Sequence, residues 1–194
     1  MTEPQPRSAS EADAQAVAAV ITLAFASDPM ARWSMPDVQR YFAEMPSVVR
    51  AFGGNGYAHV SIDVVDPGRG AAMWLPPGET PDVAALVGLF ETHAPADRLP
   101  DIMAVFEAVD AYHPKEPHWY LPLIGIDPVW QGRGIGSALM RHALARADAD
   151  GLPAYLESSH PRNVPFYEHF GFEALGSIQV GSSPTMVPML RRPR

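Results

Sequence analysis

A glycine-rich segment directly behind a strongly apolar run constrains the fold of this chain more than any other feature. Residues 119–126 are apolar enough to predict a buried strand, and three glycines follow within residues 131–137. Glycine lacks a Cβ atom, so the backbone turns sharply there and approaches a ligand closely. A helix over residues 134–150, closed by Gly151, is predicted to open directly from this turn.

The turn between that strand and helix predicts an anion site. The first amides of a helix have no carbonyl partner within it, and the positive end of the helix dipole lies behind them. Such amides bind a phosphate or a diphosphate. A glycine-rich turn with no ligand is the alternative. A Walker A loop is excluded because the only lysine, Lys115, lies far away. A dinucleotide fingerprint fails because Ser137 and Leu139 stand where its last glycine is required.

Composition excludes several classes of function. The 194 residues are 47% hydrophobic and 19% charged, as in a globular protein. A net charge of −8 disfavours a nucleic-acid partner. The absence of cysteine excludes disulfides, thiolate metal sites and any covalent cysteine intermediate. The seven histidines show no metal-ligand spacing, since His113 and His118 lack a partner carboxylate pattern, and no metal is expected.

The chain is expected to be one cytoplasmic domain, residues 1–194, without a membrane partner. The apolar run at residues 16–26 follows an acidic start and predicts an amphipathic helix. Helices and strands interleave irregularly, which predicts an α+β fold with a mixed sheet. Further predicted helices lie at residues 37–52, 81–94 (capped by Thr80), 99–112 and 163–170. Predicted strands lie at residues 57–65, 71–75 and 154–158, with two more at the end, and residues 33–36 predict a turn.

Two blocks of this sequence resemble the GNAT superfamily of N-acetyltransferases. Residues 131–136 read Q-x-x-G-x-G directly after a strand, like the pyrophosphate loop of that family. Residues 163–172 read N-x-x-x-Y followed by G-F, like its last motif. Residues 113–119 and 157–168 are similar to puromycin N-acetyltransferase and its relatives within the superfamily. The strong resemblance covers roughly residues 112–173.

The resemblance implies a GNAT fold, a mixed and mostly antiparallel sheet whose central strands splay apart and which is flanked by helices. It implies transfer of acetyl from acetyl-CoA to the primary amine of a small molecule, by direct attack in a ternary complex. A peptide or protein amine, or a non-catalytic acyl-CoA-binding module, are the alternatives, and a homodimer is left open. The implied coenzyme-binding residues are Ile124, Gly125, Ile126, Gln131, Gly132, Arg133, Gly134, Ile135, Gly136, Ser137, Asn163, Phe166 and Tyr167. Arg133 contacts the ligand or lies in solvent.

Two side chains are the candidate catalytic groups. Tyr167 corresponds to the tyrosine near the thioester sulfur and is the candidate general acid. A phenol of pKa about 10 protonates a thiolate of pKa about 8.5 uphill, so a stabilising hydrogen bond is an equal alternative. Glu157, at the end of the next strand, is the first candidate for the base that takes a proton from the amine through a water, and a structural hydrogen-bonding role is the alternative. His160 and His118 come next.

The acceptor site is less defined by the sequence. Six aromatic residues are candidates for an apolar pocket with an acidic rim, and plain core positions are the alternative for each: Trp33, Tyr57, Trp74, Phe106, Tyr112 and Trp119. Three arginines near the end, Arg191, Arg192 and Arg194, predict a small solvated basic tail.

Overall fold

The computed structural model describes residues 4–59 and 61–194, and one sheet organises them. Its strands are β1 (Pro6–Ser8), β2 (Ile62–Val65), β3 (Gly70–Leu75), β4 (Trp119–Ile126), β5 (Ala154–Ser158), β6 (Glu173–Ala174) and β7 (Val187–Arg191). Within the described ranges they lie in the order β1-β2-β3-β4-β5-β7-β6. Every neighbouring pair is antiparallel except β4 and β5, which are parallel. The predicted α+β fold with a mixed, mostly antiparallel sheet is confirmed.

The helices flank this sheet. They are α1 (Ala14–Ala24), α2 (Pro29–Ser34), α3 (Val38–Gly53), α4 (Val83–His93), α5 (Leu99–Tyr112), α6 (Ile135–Ala149) and α7 (Val164–His169). Asp37 caps the start of α3, as its position before the first turn predicts. Its carboxylate accepts a hydrogen bond from the Arg40 amide at 2.7 Å. None of the described helices has both the length and the hydropathy needed to cross a membrane.

Alternating side chains place a hydrophobic core on each face of the sheet. In β3, Ala71 and Met73 pack with residues of α1, α3, α4 and α5, whereas Ala72 and Trp74 pack with α6 and α7. Successive side chains of a strand point to opposite faces, so one strand serves both cores. The sheet is therefore covered on both sides, and its central strands are buried between two layers of helices.

Strand β4 carries one residue more than β3 in the middle of their pairing. The register changes by one residue between Met73 and Leu75, which marks a β-bulge. The extra residue reverses the face that later side chains occupy. Leu121 accordingly lies in the core beneath α6, whereas Leu123, two positions later, lies in the opposite core.

The bulge also reverses the direction of the backbone amides. The Trp119 amide donates at 2.9 Å to a carbonyl just before β5, whereas the Asp127 amide donates at 3.0 Å to a carbonyl just before β3. In a regular strand, residues an even number of positions apart point the same way, so the extra residue accounts for the change. The amides of Ile124 and Ile126 therefore point away from β3.

A gap opens on the side to which those amides point. Strands β4 and β5 pair only from Trp119 with Ala154 to Leu121 with Leu156. Residues 123–126 continue to pair with β3 but have no strand partner on the other side in the described part of the chain. The expected splay of the central strands is confirmed.

Some local predictions are wrong. Strand β1 was not predicted, and Trp33, expected in a turn, lies in helix α2, which Asp28 caps through the Ala31 amide. The second strand starts at Ile62 rather than at residue 57, and Val60 lies outside the described residues. Helix α4 is capped by Asp82 instead of Thr80, because the carboxylate of Asp82 reaches the amide of the first turn.

The expected basic tail is also wrong in part. Arg191 belongs to β7, and only 4% of it is exposed. Its guanidinium binds both carboxylate oxygens of Asp148 on α6, at 2.7 and 2.8 Å. A bidentate pair of this kind fixes the end of the sheet against the helix. Arg192, by contrast, is exposed and pairs with Glu116.

Candidate active site

The loop after β4 presents unpaired backbone amides at the start of α6. Gly132 and Gly134 adopt positive φ angles of 72° and 80°, which residues with a Cβ rarely adopt. Helix α6 makes its first internal bond from the Ala138 amide to the Gly134 carbonyl at 2.9 Å. Within the described chain no acceptor faces the amides of residues 132–137. With the helix dipole behind them, these amides are arranged to bind a diphosphate.

Side chains around the loop add positive charge and fix its position. The guanidinium carbons of Arg133 and Arg69 lie 4.7 and 4.2 Å from the ring centroid of Trp130. Gln131 Nε2 donates to the Ile126 carbonyl at 3.3 Å and ties the loop to the end of β4. Arg133, for which the sequence left two alternatives, is exposed and packs on Trp130.

Helix α7 closes one side of the loop. A Cβ atom at Gly136 would lie 3.4 Å from the Phe166 ring, so the two elements are in van der Waals contact. Asn163, at the start of α7, is exposed. Together with Phe166 and Tyr167, Asn163 lines the same cavity as the loop and the end of β4. The structure thus brings together the predicted residues of both sequence blocks, except Arg133, which does not line the cavity.

Tyr167 is the α7 side chain that turns inward. Only 7% of it is exposed, and its ring packs edge-on against Phe166 and Phe172, with centroids 5.3 and 6.1 Å away. Burial, and to a lesser extent the negative charge of Asp28, raises the pKa of the Tyr167 hydroxyl well above its ordinary value. The phenol therefore keeps its hydrogen throughout the neutral range.

Glu157 lines the cavity, and one of its carboxylate oxygens lacks a hydrogen-bond partner among the described residues. The side chain is 6% exposed. Its Oε2 accepts from the Tyr120 hydroxyl at 2.8 Å. Its Oε1 is buried and has no hydrogen-bond partner among the described residues. A buried carboxylate oxygen without a donor is costly, so this oxygen is available to a ligand that brings a hydrogen.

Sequence reasoning missed His113. Its Nδ1 lies 3.8 Å from Glu157 Oε1, and its Nε2 lies 3.0 Å from His118 Nε2. The sequence spacing around these histidines shows no partner carboxylate, and in the fold Glu157, on β5, comes close to His113. His113 lines the cavity, whereas His118 does not. His160, the other candidate base, faces Arg162 at 2.9 Å and is not part of the lining.

One cavity of about 990 Å³ connects the amide loop, the end of β4, Tyr167, Glu157 and His113. It runs from the loop and the gap beside β4 to helices α2–α5. Four carboxylates line it, those of Asp28, Glu107, Asp110 and Glu157, and no Lys or Arg of the described chain does so. Asp28 is 8% exposed, and its Oδ2 accepts from Ser159 Oγ at 2.7 Å. Much of the remaining wall is apolar, including Phe52, Leu86, Phe90, Ile102 and Phe106.

The aromatic candidates divide between this cavity and the cores. Trp33 and Phe106 line the cavity, as predicted. The other four are core side chains: Tyr57, Trp74, Tyr112 and Trp119. Trp74 and Trp119 lie on β3 and β4, whose two faces are both covered, whereas Tyr57 and Tyr112 lie outside the sheet and pack against its cores. In residues 4–59 and 61–194, no group of three His, Asp or Glu side chains is arranged to hold a metal ion.

A sequence model of the GNAT family of acetyltransferases matches residues 74–172, about half of the chain. The chain belongs to the GNAT acetyltransferase family. The matched residues include β4, the amide loop, Glu157 and Tyr167. The resemblance inferred from the two sequence blocks is confirmed.

Relatives and solved structures of GNAT enzymes agree with this assignment. An N-acetyltransferase from Schizosaccharomyces pombe is 40% identical over 88 residues, which are 43% of this chain and 36% of that protein. The match thus spans about a third of that relative's length. A Corynebacterium glutamicum protein described as histone acetyltransferase HPA2 and related acetyltransferase is 29% identical, with a TM-score of 0.70, covering 100% of this chain and 98% of that one.

The fold is also similar to that of an enzyme whose substrate is named. Drosophila melanogaster polyamine N-acetyltransferase, which forms N-acetylagmatine, has a TM-score of 0.68 with 10% identity, covering 98% of this chain and 100% of that one. At this identity the likeness concerns the fold. Family membership itself comes from the sequence model that matches residues 74–172.

Proposed function

We propose that this GNAT N-acetyltransferase transfers acetyl from acetyl-CoA to the primary amine of a small molecule that carries a large apolar group. One observation supports the proposal above all others. The end of β4, the amide loop, Glu157 and Tyr167 all line a single cavity. A donor and an acceptor therefore fit side by side, which favours direct transfer in a ternary complex.

The residues present fit acetyl-CoA. The amides of residues 132–137 suit its diphosphate. The gap between β4 and β5 suits its extended thiol arm, because the amides of Ile124 and Ile126 face that gap and have no strand partner there. When bound, the coenzyme supplies an acetyl group activated as a thioester.

The side chains and amides of the cavity supply the remaining chemistry. Glu157 takes a proton from the acceptor ammonium, which restores the nitrogen lone pair that attacks the carbonyl carbon. The Ile126 amide donates to the carbonyl oxygen as that oxygen gains negative charge. The carbon–sulfur bond breaks as the thiolate leaves, and the second proton, which the nitrogen loses once it is acylated, passes to the sulfur, to which Tyr167 donates a hydrogen bond.

The charge pattern of the cavity favours an acceptor with one ammonium group. Glu107 and Asp110 are exposed at the rim, and Asp28 and Glu157 lie deeper, so the field attracts a cation. Below Glu107 and Asp110 at the rim of α5, the wall on α3, α4 and α5 is apolar, and a second ammonium buried there would lack a counter-charge. We therefore infer an amine with an aromatic or branched apolar body, in contrast to the polyamines named for the Drosophila enzyme.

Replacing Phe106 tests this acceptor class. Phe106→Ala removes an aromatic wall whose ring lies 5.8 Å from that of Phe90. We expect kcat/KM for an arylalkylamine such as phenethylamine to fall by about tenfold, since lost apolar contact of this size costs roughly 1–3 kcal/mol. The value for putrescine should stay low in both proteins. Phe42→Ala, on an exposed α3 residue outside the cavity, is the matched control. Faster acetylation of putrescine than of phenethylamine by the unaltered enzyme would contradict the proposed acceptor.

Adding a charge to the loop tests the coenzyme site. Gly136→Asp puts a carboxylate among the free amides, where an acidic residue favours the helix but repels a diphosphate. We expect the Kd of coenzyme A, measured by calorimetry, to rise at least tenfold, because like charges about 5 Å apart near a surface cost roughly 1–3 kcal/mol. Gly88→Asp, on an exposed position of α4 outside the cavity, adds the same charge elsewhere and should leave the Kd unchanged.

Thiol release with a panel of amines and peptides tests the whole proposal. Turnover with apolar monoamines supports it. Turnover only with peptides would contradict a small-molecule acceptor and would indicate that the acceptor is the terminal amine or a lysine of a protein. Coenzyme binding without turnover on any amine would overturn the proposed transfer and favour an acyl-CoA-binding module.

A further inference from the structure

Two hydrogen bonds link the backbone to His113 through His118, and His113 in turn lies near Glu157. His118 Nδ1 lies 2.8 Å from the carbonyl oxygen of Glu116, which only accepts, so neutral His118 carries its hydrogen on Nδ1. Its Nε2 is then an acceptor, and the hydrogen of the 3.0 Å contact sits on His113 Nε2. The lone pair of His113 Nδ1 is left free, 3.8 Å from Glu157 Oε1.

Solvent access differs between the two ends of this pair. The Glu157 side chain is 6% exposed, whereas that of His113 is 26% exposed. A carboxylate buried to this degree has no direct way of returning a proton to water while substrates fill the cavity. His113 lines the same cavity and also reaches the surface, so it is the group able to pass that proton on.

We infer that His113 accepts on Nδ1 the proton that Glu157 takes from the acceptor, and that His118 is a positioning residue that holds His113 in the tautomer this requires. The inference rests on the proposed function. An N–H bond of the acceptor ammonium breaks and leaves its electron pair on nitrogen. The proton moves to Glu157 Oε1, then to His113 Nδ1, and from there to water, which restores the carboxylate. The transfer requires this 3.8 Å separation to shorten when substrate binds, as catalytic contacts of unliganded enzymes often do.

The surroundings favour a neutral His118 and two neutral tyrosines. Burial, more than any other cause, lowers the pKa of His118, which keeps its Nε2 free to accept. Burial and the nearby Glu157 carboxylate raise the pKa values of Tyr120 and Tyr155 well above the ordinary range, so neither gives up its proton. The other titratable or charged groups near the pair are Tyr112 and, at the surface, Asp110, Lys115, Glu116 and Arg192.

Variants of both histidines test the inference through the pH profile. The centroid of the His113 ring lies 4.8 Å from that of Tyr120 and 4.9 Å from that of Tyr155. His113→Phe keeps a ring in this position but removes both nitrogens. We expect kcat at pH 7 to fall at least tenfold with the acceptor KM nearly unchanged, in the range of general acid–base contributions. The loss should shrink as the pH rises, because hydroxide then clears the proton from Glu157.

The positioning role of His118 has its own signature. His118→Leu removes the acceptor for His113 Nε2–H, and we expect a fall of about fivefold in kcat together with an acid limb moved to lower pH, since the imidazolium loses a partner. His118→Gln supplies an amide oxygen as acceptor and should recover at least half of the activity. His59→Phe, on an exposed histidine 3.0 Å from Glu79, is the matched control and should behave as the unaltered enzyme.

Long-range ¹H–¹⁵N spectra of the unaltered protein test the tautomers without any variant or substrate. We expect hydrogen on Nε2 of His113 and on Nδ1 of His118, and the reverse pattern would overturn the inference. If the unaltered enzyme acetylates no amine, the proposed function fails, and the spectra still decide the tautomers. If it is active, and folded His113→Phe and His118→Leu proteins match it at every pH, the relay is overturned while the function stands. If either variant fails to fold, the spectra decide.

Discussion

Glu157→Gln should lower kcat for an alkylamine acceptor by about 10²-fold or more, the range of a positioned general base. The amide still accepts the Tyr120 hydrogen bond, so the packing is retained and only the capacity to take a proton is lost. The decrease in kcat should depend on the pKa of the acceptor amine. An amine of pKa about 10 is almost wholly protonated at pH 7 and needs the base, whereas an amine of pKa about 8 is partly neutral. Initial rates of thiol release with both kinds of amine measure the difference.

The control for this variant is Glu79→Gln. Glu79 also pairs with a histidine, at 3.0 Å from His59, but it does not line the cavity. We expect its activity to equal that of the unaltered enzyme. If Glu157→Gln retained full turnover with the strongly basic amine, Glu157 would not be the base.

Tyr167→Phe should lower kcat by about 10²-fold while the Kd of acetyl-CoA changes by no more than about threefold, as for a lost donor to developing charge. The ring contacts with Phe166 and Phe172 remain, so only the hydroxyl is removed. Because burial raises the pKa of this hydroxyl, complete transfer of its proton to a thiolate is more uphill than for a free phenol. We therefore expect a hydrogen bond to the sulfur and no change in the shape of the pH profile.

Tyr41→Phe controls for the loss of a buried hydroxyl. Tyr41 donates to the Thr22 carbonyl at 2.7 Å, far from the coenzyme loop, and its removal should cost about 1 kcal/mol of stability without changing kcat. Calorimetry of acetyl-CoA binding and steady-state rates on both variants separate the two effects. Equal kcat values for Tyr167→Phe and the unaltered enzyme would exclude Tyr167 from the reaction.

The parts of the fold that were predicted from the sequence are those set by contiguous residues. Helix α5 and strands β4 and β5 have the predicted bounds, because apolar runs, proline breaks and glycines mark their ends locally. Strand β1 shows why other parts were missed. Its three residues have no strand pattern of their own and are extended only because they pair with β2, which lies more than fifty residues later. Trp33 is helical because Asp28 caps the turn before it.

In the candidate site, too, only the parts built from contiguous residues were predictable from the sequence. The amide loop was predictable because its strand, glycines and helix are adjacent in the chain. The contact between His113 and Glu157 was not, because the two residues lie on different elements and meet only when β4 and β5 pair. The bulge in β4 could not be predicted from the sequence, because a strand with one extra residue has the same apolar composition as a regular strand.

The extra residue of the β4 bulge constrains the length of strand β4 more than its side chains. The donors it turns toward the gap are peptide groups, so alanine scanning of Ile124 and Ile126 would leave them in place and would underestimate their contribution. Insertion or deletion of one residue between positions 119 and 124 would instead rotate both peptide planes onto β3. Among enzymes that share this chemistry, we expect the side chains of this strand to vary more freely than its length.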